Sequence, residues 1–101
     1  MANPNLFQTT HAPVYGTGSV TAYTGTAGTT SAILKAGVNA VWVLCTTAAY
    51  VRVGDGVTAV AGDFPMAANV PYIFPVEGQP GFVVSAVQVA SGGNLHVIGL
   101  V

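Results

Sequence analysis

The sequence predicts an all-β protein: a single antiparallel β-sandwich, with a jelly roll among the topologies it admits, preceded by an extended N-terminal arm. Three observations carry that expectation. The apolar residues fall in short runs rich in Val, Tyr, Phe, Ile and Thr, separated by Gly, Pro, Asn and Asp, which is the punctuation of strands and turns. Several runs alternate with a period of two, sending successive side chains to opposite faces of a sheet. No stretch sustains a helical apolar period, and the most the sequence allows is one short helical turn around 31–36.

The chain has 101 residues, the size of one domain, since single cores typically span roughly 100–150 residues. Residues 1–17 carry Pro4 and Pro13 with little alternation and read as the arm; residues 18–101 read as the sandwich. Candidate strands fall at 6–10, 19–24, 29–34, Ala40–Cys45, 49–53, 57–60, 72–76, 81–89 and 95–100. Such runs, recurring at a spacing of roughly 8–12 residues, imply two packed sheets.

Each run adds detail. Ala40–Cys45 is apolar on both faces and suits a central strand covered on both sides, one cover being a neighbouring subunit. In 49–53 the valines point one way and Tyr50 and Arg52 the other. In 82–89, Val83, Ser85, Val87 and Val89 share one face, and Phe82, Val84, Ala86 and Gln88 the other. The period-two positions predict a core of Val41, Val43, Cys45, Val51, Val53, Val84 and Leu95. Gly54-Asp55-Gly56 reads as a hairpin connection, and Ser91-Gly92-Gly93-Asn94 as a second one that pairs the last two strands antiparallel. Pro71, Pro75 and Pro80 interrupt any continuous ladder, so 72–76 is expected at a sheet edge or a bulge.

The charge inventory excludes several functions. Lys35, Arg52, Asp55, Asp63 and Glu77 are the whole charged set, 5% of the chain, against about 25% in an average globular protein. With two basic residues and a net charge of −1, no nucleic-acid footprint is expected, because binding needs several phosphate-neutralising side chains. No run approaches the roughly 18–20 apolar residues of a membrane helix. The opening Met-Ala-Asn-Pro-Asn lacks the basic region and apolar core of a secretory signal, so synthesis in a cytoplasm is expected.

No catalytic, metal or cofactor site emerges. Asp55, Asp63 and Glu77 sit beside Gly or Pro at expected turns. His11 and His96 have no second His or Cys at metal-ligand spacing. Cys45, the single cysteine, lies in the most apolar run, where a thiol behaves as a small core hydrophobe. The segment from Gly16 to Thr21 lacks the third glycine of a dinucleotide fingerprint, and Gly25 to Lys35 holds no phosphate loop. A nearly uncharged surface favours association, so a homo-oligomer is expected. Tyr72, Phe74 and Phe82 are the expected contact aromatics, and His96 faces away from Leu95 and Val97, towards solvent or a partner. The aromatic set with Trp42 and Tyr50 also admits a carbohydrate-binding face, but no Asp, Asn or Arg cluster accompanies it, and packing is the favoured reading.

The run from Val41 through Val51-Arg52-Val53-Gly54-Asp55-Gly56 continues through Asp63-Phe64-Pro65-Met66 and Pro71-Tyr72-Ile73-Phe74-Pro75-Val76. It closes with Ala90-Ser91-Gly92-Gly93-Asn94-Leu95-His96-Val97. This order of strands and turns, about the last sixty residues, resembles small structural proteins of tailed bacteriophage virions. The resemblance implies a non-enzymatic virion component, foremost a capsid decoration (cement) protein whose partner is the major capsid protein or another virion protein. A small tail, neck or fibre-tip protein, with a receptor- or carbohydrate-binding role, is the alternative it leaves open.

Overall fold

A computed structural model of the chain describes residues 12–30, 38–76 and 82–101. The strand expected at 6–10, the first eleven residues of the arm and the helical turn at 31–36 lie outside the described residues. The remainder is all-β with no helix. The strands are β1 (Ser19–Tyr23), β2 (Gly28–Thr29), β3 (Ala40–Cys45), β4 (Ala49–Asp55), β5 (Phe64–Met66), β6 (Tyr72–Pro75), β7 (Phe82–Gln88) and β8 (Gly93–Leu100). They form two antiparallel four-stranded sheets, ordered β1-β8-β3-β6 and β2-β7-β4-β5.

Alternation decides which side of each strand enters the core. Val41, Val43 and Cys45 of β3, Ala49 and Val51 of β4, Phe82, Val84 and Ala86 of β7, and Leu95 and Val97 of β8 are all buried. Six of the seven predicted core residues are buried, and Val53 is half-buried against them. Burying a side chain of this size contributes about 1.5–3 kcal/mol. Tyr23, which the alternation did not single out, is also buried; its hydroxyl is satisfied by Thr47, as a buried phenol requires.

Several expectations are corrected. The last two strands do not pair: β7 belongs to the second sheet and β8 to the first. The intervening Ser91-Gly92-Gly93 turn carries the chain over the end of the sandwich. At Gly93 a Cβ would stand 2.6–2.8 Å from the Thr47 and Thr46 hydroxyls and the Tyr23 hydroxyl, so only glycine fits that crossing. Gly54 and Asp55 belong to β4, and the turn begins at Gly56, whose φ is 64°. Residues 57–60 are not a strand. They lie across the outer face of the second sheet, where the buried Ala59 donates its amide to Ser85 Oγ at 2.8 Å. The partner of β4 is instead the short β5, with Val51 opposite Phe64 and Ala49 opposite Met66. β8 is flanked by β1 and β3, so its backbone is not open to a neighbour.

The edge placement of 72–76 is observed: β6 ends the first sheet. At the other end of the chain, residues 12–17 run onto the end of β8. Ala12 and Val101 exchange both backbone bonds, at 3.0 and 2.9 Å, and the Val14 amide donates to the Gly99 carbonyl at 2.8 Å. Gly99 in turn donates to the buried Thr17 hydroxyl at 2.8 Å. A side chain thus replaces a ladder carbonyl where the chain kinks at Gly16, whose φ is 93°.

Candidate interaction surface

The cross-strand pairs of the first sheet build one outer face. Val20 stands opposite His96, His96 opposite Leu44, and Trp42 lies between Ile98 and Ile73. The buried Val41, Val43, Cys45, Leu95 and Val97 alternate with Trp42, Leu44, His96 and Ile98, so these four point outward, and Val20 and Ile73, paired with His96 and Trp42, share their side. Val20 is 62% exposed and Ile73 45%; Trp42, Leu44, His96 and Ile98 are half-buried. Two shallow concavities mark the face: one of about 550 Å³ over Val20, Trp42, His96 and Ile98, and one of about 330 Å³ beside Trp42, Pro71, Tyr72 and Ile73.

No Asp, Glu, Lys or Arg occurs in β1, β8, β3 or β6. The described charged residues, Arg52, Asp55 and Asp63, lie in β4 and the loop that follows it, on the second sheet. There Asp63 Oδ1 meets Arg52 Nη2 at 2.6 Å, and Oδ2 accepts the Val60 amide at 2.8 Å. The Arg52 hydrogen bond, with help from that amide, holds the Asp63 carboxyl below the ordinary aspartate range. The outer face of the second sheet is closed by polar contacts: Ser85 Oγ is within 2.9 Å of Thr29 Oγ1 and takes the Ala59 amide. The two faces of the sandwich are therefore chemically unlike.

The four sequence-predicted contact residues separate. Phe82 is only 2% exposed and belongs to the core, which corrects its assignment as a contact residue: the alternation of β7 fixes two faces but does not say which one enters the sandwich. Tyr72 and Phe74 pair with Val43 and Val41 and so face the space between the sheets. They meet Phe64 of β5, with ring centroids 4.7 Å from Tyr72 and 5.3 Å from Phe74 at interplanar angles of 66° and 85°. Such edge-to-face pairs contribute about 0.5–1.5 kcal/mol beyond their buried area. The three rings close the sandwich between its edge strands β5 and β6, leaving Tyr72 48% exposed. His96 alone of the four lies on the uncharged outer face. Sequence reasoning missed Val20, Leu44, Ile73 and Ile98 there; their signal was the apolar residue at alternate positions in runs already read as strands.

Among the described residues no three metal-ligating side chains come together, and no helix is long and apolar enough to cross a membrane. Cys45 is buried, and desolvation pushes its thiol up to about 11 against the lowering effect of the nearby Tyr23 hydroxyl; such a thiol is a poor nucleophile. The chain matches no protein-family model, no curated protein and no solved structure.

Proposed function

We propose that the chain is a non-enzymatic structural protein of a tailed-phage virion, foremost a homo-oligomeric capsid decoration protein assembled in the host cytoplasm. The observation that carries this reading is the contrast between faces: a first sheet whose outer surface is apolar and free of Asp, Glu, Lys and Arg, and a second sheet that holds the described charges. Contiguous apolar surface of that kind marks sites of protein contact. A subunit held to a lattice by apolar burial is retained across a wide range of salt, since little of its binding energy is screened.

The strand order supports the reading by analogy. The order β1-β8-β3-β6 and β2-β7-β4-β5 supports reading the sandwich as a jelly roll, two Greek keys around one core, an architecture that recurs in viral capsid and lectin domains. A shared architecture is an analogy and not a function, so the weight rests on the face. The test is to purify virions from an infected culture and quantify the chain by mass spectrometry, then map its position on the particle. A repeating density on the head lattice is the expected result. Density confined to the tail, neck or fibre tip would replace decoration with the alternative, and absence from intact particles would overturn the virion reading.

A further inference from the structure

The hydrogen-bond parity of the edge strands separates one open edge from one closed edge. The Val76 amide donates to the Asn39 carbonyl at 2.9 Å, which makes 39 and 76 a hydrogen-bonded pair. Alternation then assigns Val41–Phe74 and Val43–Tyr72 to the same class. The backbone groups of 71, 73 and 75 therefore point away from the sheet, and two of those three residues, Pro71 and Pro75, have no N–H to offer. β5 follows the same rule. The Val89 amide donates to the Ala48 carbonyl at 3.1 Å, so Ala49 and Val51 turn their backbone groups towards β5, and the residue of β5 that points outward is Pro65. Prolines thus remove the outward donor of β5 and two of the three on β6, leaving the Ile73 amide, a recognised means of discouraging edge-to-edge pairing.

The opposite side is not protected in this way. Gly99 donates to Thr17 and accepts from Val14, which turns the odd-numbered residues of β8 towards β1. Val97, Leu95 and Gly93 then bond to Ser19, Thr21 and Tyr23, while Val20 and Ala22 point outward. Among the described residues no strand pairs with that side of β1. The Ala22 carbonyl is closely approached by Gly28, which leaves the Ala22 amide and both backbone groups of Val20 without a strand partner among the described residues. The side chain of Val20 stands 62% exposed at this edge, beside His96.

From this we infer that two copies of the chain associate through β1, antiparallel about a twofold axis near Val20, to join their first sheets into one continuous sheet. This rests on the homo-oligomer reading and adds its geometry. A second copy is the occupant because the edge is self-complementary: each copy offers an outward donor and an outward acceptor at Val20 and no charged side chain in β1 to repel its twin. Facing Val20 side chains would also bury each other, as cross-strand apolar pairs do. A twofold contact uses the β1 edge of both copies, and the donor-poor β5–β6 edge disfavours head-to-tail growth, so edge pairing closes after two copies.

The test uses the structure's own device. Val20→Pro removes an outward amide without removing any bond between β1 and β8, and Val20→Lys places a charge on the edge. Ile73→Pro makes the matching change on the closed edge. Sedimentation velocity of the full chain, with circular dichroism as the check on folding, should show a dimer for wild type and Ile73→Pro. Both Val20 variants should associate more weakly by about tenfold or more. An oligomer that survives both folded Val20 variants would overturn the β1 contact while leaving the homo-oligomer reading intact. A trimer or other odd assembly would overturn the twofold pairing. A wild-type chain that stays monomeric at high concentration would overturn both.

Discussion

The Tyr23 hydroxyl donates to the Thr47 carbonyl at 2.8 Å and accepts the Thr47 amide at 3.1 Å, tying the end of β1 to the turn between β3 and β4. The same turn receives the β7–β8 crossing at Gly93, so one phenol organises a whole end of the sandwich. Tyr23→Phe keeps the ring but leaves part-buried donors and acceptors on Thr47 unpaired. The expected loss is about 1–3 kcal/mol, read as a lower urea midpoint at unchanged slope.

Gly28→Ala should cost about 1–3 kcal/mol, as over-packing does. A Cβ built there runs into the Ala22 backbone carbonyl, and backbone cannot swing aside as a side-chain tip would. Chemical denaturation compared with Gly56→Asn, at a position with open space around it and a positive φ that Asn tolerates, checks that the effect is steric. Equal losses in the two variants would refute this account.

The Arg52–Asp63 pair makes a prediction in acid. Asp63 is held below the ordinary aspartate value of about 3.9 when folded, so the unfolded chain binds the proton first as pH falls. Its stabilising effect is complete above that ordinary value and is lost as pH drops through the lowered folded one. Asp63→Asn should remove this part of the acid dependence while keeping the Val60 contact available to the amide oxygen. Denaturation midpoints measured across the acid range would reveal it as a flatter profile.

Attachment through the first-sheet face should resist salt and fail on charge. Raising sodium chloride from about 0.05 to 1 M shortens the screening length to about 3 Å, yet wild type should remain on purified particles. Trp42→Asp, at the centre of the face and without contact to the Arg52–Asp63 pair, should be lost from them. Salt-induced release of wild type would mean that charge holds the contact.

What the sequence made legible follows from what alternation and proline encode. Ala40–Cys45 was readable because it is apolar at every position, and β6 was readable as an edge because Pro71 and Pro75 cannot donate. Period two located Val41, Val43, Cys45, Val51, Val84 and Leu95 in the core, but not Phe82, whose side of β7 it could not choose, nor Tyr23, whose polar tip hides its burial. The second strand of the β4–β5 pair escaped notice because it is three residues long and one of the three is Pro65. Residues 57–60 alternate like a strand, but their apolar side chains serve to cover the Ser85 side of the second sheet rather than to join a ladder. Ser91-Gly92-Gly93-Asn94 has the composition of a hairpin, and a crossing between sheets uses the same residues. The contact face stayed hidden for a related reason. Half-buried Trp42, Leu44 and Ile98 differ from core residues only in which side of the strand they occupy.

The pairing of β1 with β8 has a consequence for biosynthesis. The ribosome delivers β1 long before β8, at about 5–20 residues per second, so the strand spends seconds without the neighbour that completes its ladder. Among the described residues, β4 and β5 alone are consecutive strands that pair with each other. Almost every other contact must therefore await distant residues, the regime in which chains fold slowly and nascent apolar strands are exposed to mispairing. A domain wound in this way gains its native form nearly all at once, when β8 has been made. Chaperone occupancy on stalled nascent chains should stay high until Leu100 has cleared the exit tunnel.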